Sequence, residues 1–179
     1  MNPDELRGFF PLVEEISDTN LQKAVLLSFA EGLEKGGWKP DDMKRIPATL
    51  LIPDCPNSFL EHTNAVTACS LAVAGEMKKV YGDRFQFDRD VLIAGGLLHD
   101  VGKLLEIERA PEGGFRKSRS GRLLRHPISG IALAAPHGVP ESVLHIIACH
   151  SKEGQAVKRT TEAVIVHHAD FSNFEPFRD

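Results

Sequence analysis

Val91-Leu92-Ile93-Ala94-Gly95-Gly96-Leu97-Leu98-His99-Asp100-Val101-Gly102-Lys103 is the stretch on which the reading of this chain turns. The apolar part, 91–98, is far shorter than the roughly 20 residues a bilayer span needs, so it reads as a buried helix that ends on two polar residues. Neighbouring helical side chains diverge by about a quarter-turn or more, so His99 and Asp100 reach one ion most easily where the helix stops. Gly102 predicts the loosening of backbone at that stop. In a chain with eight histidines a single His-Asp pair is a weak signal, and the flanking residues must carry the case.

Working outward, helical signals dominate. The segment before residue 38 reads as two helices; Leu21, Val25, Leu27 and Leu33 fit a helix that Asp18 can cap and Gly36-Gly37 can end. Pro40, Pro47, Pro53 and Pro56 make roughly 38–57 irregular, after which Ser58 can cap a long helix toward Val80 with His62 in its first turns. Gly82 and Asp88 separate it from the helix that delivers His99-Asp100. Between Leu104 and Leu124 the chain is polar, and Glu112-Gly113-Gly114 predicts a short hairpin or ordered loop near 105–118. Pro127 puts His126 at or just before a helix cap, and Pro140 opens a helix carrying His145 and His150. Thr160 or Thr161 with Glu162 starts a last helix, with Asp170 near its C-terminal part. The expected fold class is therefore all-α.

Composition bounds the function. With 179 residues and 42% hydrophobic content, one domain with a real core is expected. A net charge of -4 argues against coating nucleic acid through overall charge, so any phosphate binding must be local. Cys55, Cys69 and Cys149 form no metal-type pair, and Met1-Asn2-Pro3-Asp4-Glu5 lacks a basic and apolar leader, which points to the reducing cytoplasm. No membrane segment is expected, and oligomer formation is left open.

His62, His99, Asp100, His126, His150 and Asp170 fall at or near helix ends on at least four helices, the way a bundle builds a metal site from facing side chains. Neutral imidazoles and carboxylates form mixed nitrogen and oxygen shells suited to Mn, Fe, Co, Ni or Zn rather than Mg or Ca. Single histidines are more often structural, and His137, His145 and His167 are read that way; His168 is a candidate partner behind a ligand.

The order His62, His99-Asp100, His126, His150, Asp170 resembles the HD-domain metal-dependent phosphohydrolases. Closest in texture are the HD domains of three-prime to five-prime exoribonucleases. They are similar in Phe59-Leu60-Glu61-His62-Thr63, in Ala94 to Lys103, and in Gly121-Arg122-Leu123-Leu124-Arg125-His126. The resemblance covers roughly 58–175. It implies a helical HD core at 58–175 with a helical extension at 1–57, within one domain spanning 1–179. It also implies one metal on His62, His99, Asp100 and Asp170, with Asp100 bridging to a second on His126 and His150. Asp100 would then be catalytic, and Lys103 would act beside the substrate phosphate. Two metals about 3.5 to 4 Å apart activate a water for attack on phosphorus. An upstream nucleic-acid module of the exoribonuclease kind is not visible in 1–57.

From Phe115 to Arg125 the chain carries Arg116, Lys117, Arg119, Arg122 and Arg125 and no acid, although the whole is acidic. This favours an anionic substrate, with Arg122 and Arg125 as first choices for phosphate contact. Phe115 is the one aromatic among them, which argues against base stacking by this segment. The expected activity is hydrolysis of a phosphoester in a nucleotide, another phosphorylated small molecule or a short single-stranded nucleic acid. The alternatives are a non-catalytic metal-binding or docking domain, a mononuclear nucleotidase, and a cyclic-dinucleotide phosphodiesterase. The last family's Gly-Tyr-Pro element is missing after His150, where Ser151-Lys152-Glu153-Gly154 stands.

Overall fold

A computed structural model describes residues 2–178. At its centre lies α3 (Arg89–Leu98), in which every residue from Val91 to Leu98 is buried. A helix apolar all round must be covered on all sides, and α3 packs against α1 (Thr19–Gly36), α2 (Phe59–Tyr81), α7 (Glu141–Cys149) and α8 (Thr161–Ser172). Two glycines permit that crowding. A Cβ on Gly95 would lie 2.3 Å from Ile146 of α7, and one on Gly96 would lie 3.0 Å from the Thr67 hydroxyl of α2.

The caps form where the side-chain chemistry places them. The Asp18 carboxylate accepts from the Asn20 and Leu21 amides, and α1 ends at Gly37 in the left-handed region, φ 70°. Ser58 and Glu61 form a reciprocal capping box on α2. Asp88 accepts from the Val91 amide, and Thr160 from the Ala163 amide.

The N-terminal reading of two helices is corrected. Only α1 is a full helix; before it stand two 3-10 turns, Pro3–Leu6 and Pro11–Glu15, each opened by a proline and too short to continue as α-helix. These turns still contribute core. The Phe10 ring stacks on Phe29 of α1 at 4.0 Å, and Phe29 meets Phe59 of α2 edge-on at 6.3 Å.

After α3 the chain makes a single turn, α4 (Lys103–Glu106), and then the hairpin expected near 105–118. Strands β1 (Ile107–Arg109) and β2 (Phe115–Lys117) pair antiparallel, Ile107 opposite Lys117 and Arg109 opposite Phe115. The short helix α5 (Arg119–Leu123) leads into α6 (Arg125–Ala134), which takes His126 inside its first turn rather than before it. The turn between them is made by Arg125 itself, at φ 59°. The fold is thus mostly helical with one small sheet, as expected. Among the described residues no helix is long and apolar enough to cross a membrane.

Candidate metal centre and substrate cleft

Helix packing brings the six sequence-selected imidazoles and carboxylates together. His62 projects from the first turn of α2, His99 is the C-terminal cap of α3, and Asp100 follows it. His126 comes from the first turn of α6, His150 caps the end of α7, and Asp170 sits in the last turn of α8. Gly102 has a different role from the one expected. Its backbone is ordinary right-handed, φ -64°, but a Cβ there would lie 2.0 Å from the His126 carbonyl oxygen. The missing side chain is what lets α6 approach and set His126 beside Asp100.

The donors fall into two groups that share Asp100. Ligand atoms of His62, His99, Asp100 and Asp170 lie within 4.8 Å of one another, as do those of Asp100, His126 and His150. The two oxygens of Asp100 divide between them. Oδ2 lies 3.3 Å from Nε2 of His62 and 3.3 Å from Nε2 of His99. Oδ1 lies 3.4 Å from Nε2 of His126 and 3.6 Å from Nε2 of His150. Asp170 closes the first group, with Oδ1 3.1 Å from His62 Nε2 and 3.9 Å from His99 Nε2.

The far nitrogens decide what these rings can do. Nδ1 of His99 lies 2.6 Å from the Gly96 carbonyl, and Nδ1 of His150 lies 2.9 Å from that of Ile147. A carbonyl only accepts, so each Nδ1 carries the hydrogen and each neutral ring keeps a bare lone pair on Nε2. His126 is fixed the same way by Glu106, whose Oε2 lies 3.0 Å from Nδ1 and also accepts from the His126 amide at 2.6 Å. The bare Nε2 atoms of His126 and His150 face each other at 3.3 Å, and Nε2 of His62 lies 3.4 Å from the bare Nε2 of His99. Apposed lone pairs around a shared carboxylate, all buried, repel one another unless a cation lies between them. The donor set fits divalent transition metals with nitrogen and oxygen ligands.

Electrostatics agree. Burial by itself would raise Asp100, but the Lys103 ammonium and then His99 hold its carboxyl well below the usual range. Lys103 Nζ lies 2.5 Å from Oδ2 of Asp100, an ion pair without directed hydrogen-bond geometry, and donates to the Ala48 carbonyl at 2.5 Å. Burial also opposes ionisation of Asp170, yet the His62 hydrogen bond and the nearby His99 bring it to about 2. His62 is depressed by burial but raised more by Asp100 and Asp170, for a net upward shift. At His126 burial prevails over Glu106 and the net shift is downward.

The centre opens into a cleft of about 680 Å³. His62, Asp100, His126 and Asp170 line its floor, and Lys103, Arg116, Lys117, Arg125 and Lys152 supply positive charge. Arg125 is steadied by Glu153 at 3.3 Å and Glu106 at 3.8 Å. Arg122, the other first choice for phosphate, does not line the cleft. The buried face of α5 is Gly121, packed against the Glu106 carbonyl, so Arg122 next to it turns to solvent and donates to the Lys117 carbonyl at 2.8 Å.

Of the remaining histidines, His137 pairs with Glu31 at 2.5 Å, and His145 accepts from the Thr160 amide at 3.3 Å. His168 is exposed, so it does not back a ligand. His167 is the one that does touch the centre's frame, through a hydrogen bond to the His150 carbonyl. Residue-by-residue reading also missed Glu106, the segment Ala48–Cys55 along the rim, and Phe171, Phe174 and Phe177. The acid Glu106, three residues after Lys103 on the turn that follows His99-Asp100, was the only signal for the first.

Comparison with known proteins gives a family and one relative. The HD domain model matches residues 59–171, the part of the chain that supplies all six donors. A dihydroneopterin 2',3'-cyclic phosphate phosphodiesterase from Methanocaldococcus jannaschii is 34% identical over 113 residues, 63% of this chain and 44% of that protein. The chain therefore matches less than half the length of that relative. No solved structure matches. A match over most of the chain, coinciding with the helices that gather the donors around His99-Asp100, makes this protein a member of the HD domain family.

Proposed function

We propose that this chain is a metal-dependent phosphohydrolase that holds two divalent transition-metal ions and cleaves a phosphodiester in a small phosphorylated molecule. The observation that carries the reading is the convergence of bare Nε2 lone pairs on both oxygens of Asp100. The relative's named activity, on a cyclic phosphate, supports a diester over a monoester as the first substrate class to test. On this reading His62, His99, Asp100 and Asp170 would hold one ion, and Asp100, His126 and His150 would hold the other. When bound, such ions supply Lewis acidity and lower the pKa of water enough for attack on phosphorus near neutral pH.

The chain's own groups do the rest. Carbonyls of Gly96 and Ile147 and the Glu106 carboxylate keep hydrogen on Nδ1 of three rings, so no proton needs to leave before metal binds. Lys103 is a point charge at the mouth of the centre. It pairs with Asp100 at 2.5 Å, and with that carboxylate on a metal it would be free to meet a phosphate oxygen. Arg125 offers a planar fork for the same phosphate, held in place by Glu106 and Glu153.

Residues 1–57 are read as an extension of the same domain, because Phe10, Val13 and Phe29 belong to one buried cluster with Phe59, Leu92 and Leu97. Free thiols at Cys55, Cys69 and Cys149 agree with a cytoplasmic setting. The similarity of residues 59–63 and 94–103 to exoribonuclease HD domains keeps a short single strand as the second substrate class.

The test is a panel of bis-nitrophenyl phosphate, nitrophenyl phosphate, cyclic mononucleotides, cyclic dinucleotides and short RNA, run on protein loaded with Mn, Fe, Co, Ni or Zn. Turnover of diesters that disappears in Asp100→Asn, with circular dichroism retained, supports the reading. A folded, metal-loaded protein that cleaves none of them overturns it.

A further inference from the structure

The rim of the cleft is chemically mixed. Arg116 and Lys117 of β2 and Arg125 of α6 bring cations to it, while Phe171 of α8 and Phe174 just after it bring aromatic rings, followed by Arg178, and Leu50, Leu51 and Ile52 line the same cleft from the rim segment. Phe171 follows Asp170 directly, so the aromatic wall begins at the metal floor. Its ring packs on His167 at 4.6 Å and meets Phe174 nearly perpendicular, 81° at 6.5 Å. That packing holds both rings while leaving them half-exposed in the cleft. Leu51 on the rim segment is 66% exposed, between half-buried Leu50 and Ile52.

A phosphate and its ester carbons need only a fraction of 680 Å³, and the remaining space lies between apolar walls. Clefts of about 300–1,000 Å³ enclose molecules of mononucleotide size. A planar aromatic ring matches both demands: its faces stack on phenylalanine and its edges stay near water. We propose that Phe171 and Phe174 form a stacking subsite for a planar heteroaromatic ring joined to the scissile phosphoester, closed from the other side by Leu50, Leu51 and Ile52. The proposal rests on the phosphohydrolase reading, since it assumes the phosphate end lies at the Asp100 floor. It assigns a single-ring-system small molecule rather than an oligonucleotide, because Phe171 and Phe174 meet ring to ring at 6.5 Å instead of being spaced along a track, and of the other two phenylalanines in the lining Phe115 packs on Trp38.

Equilibrium calorimetry on the full chain tests it without turnover, using guanosine monophosphate against ribose 5-phosphate, two probes with the same phosphate. The wild type is expected to bind the nucleotide at least about tenfold tighter, the scale of one stacking interaction. Phe174→Ala and the volume-sparing Phe171→Leu should each shrink that ratio by about threefold or more, chiefly by weakening the nucleotide. Equal affinities in the wild type, or a ratio untouched in both variants with circular dichroism retained, overturns the subsite. Affinity for RNA that climbs with each added nucleotide overturns the small-molecule assignment. A ring preference without hydrolysis of any phosphoester would break the phosphohydrolase reading alone, whereas hydrolysis without ring preference would break only the subsite.

Discussion

The two donor groups that meet at Asp100 are unequal. One has two imidazoles and two carboxylates, His62, His99, Asp100 and Asp170; the other has two imidazoles and only the shared Asp100. The first therefore places up to two negative charges beside a cation where the second places one, and it draws on three helices that pack directly on one another. The second depends on α6, which reaches Asp100 only because Gly102 lacks a side chain, and on Glu106 behind His126. On the proposed two-ion reading, the difference teaches that charge and rigidity would hold the first ion, while imidazole orientation would hold the second.

The largest effect is expected where the groups overlap. Asp100→Asn should empty both and reduce kcat/KM by about a thousandfold or more, measured beside elemental analysis of the same sample. Near-normal metal content in that variant would break the shared-ligand picture. Next, His126→Ala and Asp170→Ala should separate the two groups. Each is expected to lose about a hundredfold or more in activity, but His126→Ala should keep the first ion and Asp170→Ala should weaken it. If both variants lose both ions together, the groups are one cooperative site and the comparison fails.

Glu106→Gln is a subtler probe, since the amide can still accept from His126 while its charge is gone. Loss of a partner behind a ligand typically costs about 10–100-fold in metal affinity, and here the cost should fall on the second ion alone. Competition with a metallochromic chelator reads it.

Proton competition adds a pH dependence. His62 is raised above its ordinary 6.5, so protons displace metal from the first group as pH falls through that higher value. His126 is lowered below 6.5 and stays neutral, metal-competent, to more acid pH. The affinity advantage of the first group should thus be widest near pH 8 and narrow toward pH 6. A gap that widens on acidification contradicts the assignment. Arg122→Ala should do least, within about twofold in KM, whereas Arg125→Ala raises KM severalfold or more.

The floor of the cleft was legible in the sequence and its rim was not, for physical reasons. An apolar run ending in His99-Asp100 states both a buried helix and its functional end, and Asp18, Ser58, Asp88 and Thr160 announce helix starts through local hydrogen bonds. Those signals act over three or four residues. Glu106 gains its meaning only from His126, twenty positions on, and Phe171 comes to line one cleft with Leu51 and Phe115 only through the tertiary fold. Phe115 read alone argued against stacking; the rings on which the proposed subsite rests, Phe171 and Phe174, lie near the other end of the chain. Arg122 and Arg125 look alike in sequence, and only the burial of Gly121 turns one outward while Glu106 and Glu153 hold the other in.

The most direct test of the account is metal stoichiometry. Protein stripped with chelator and reloaded with excess Mn or Fe, then freed of unbound metal, should carry two ions per chain by mass spectrometry of the elements. The double variant His126→Ala/His150→Ala should carry one. A single ion in the wild type, or two in the double variant, would contradict a paired centre built on the two oxygens of Asp100.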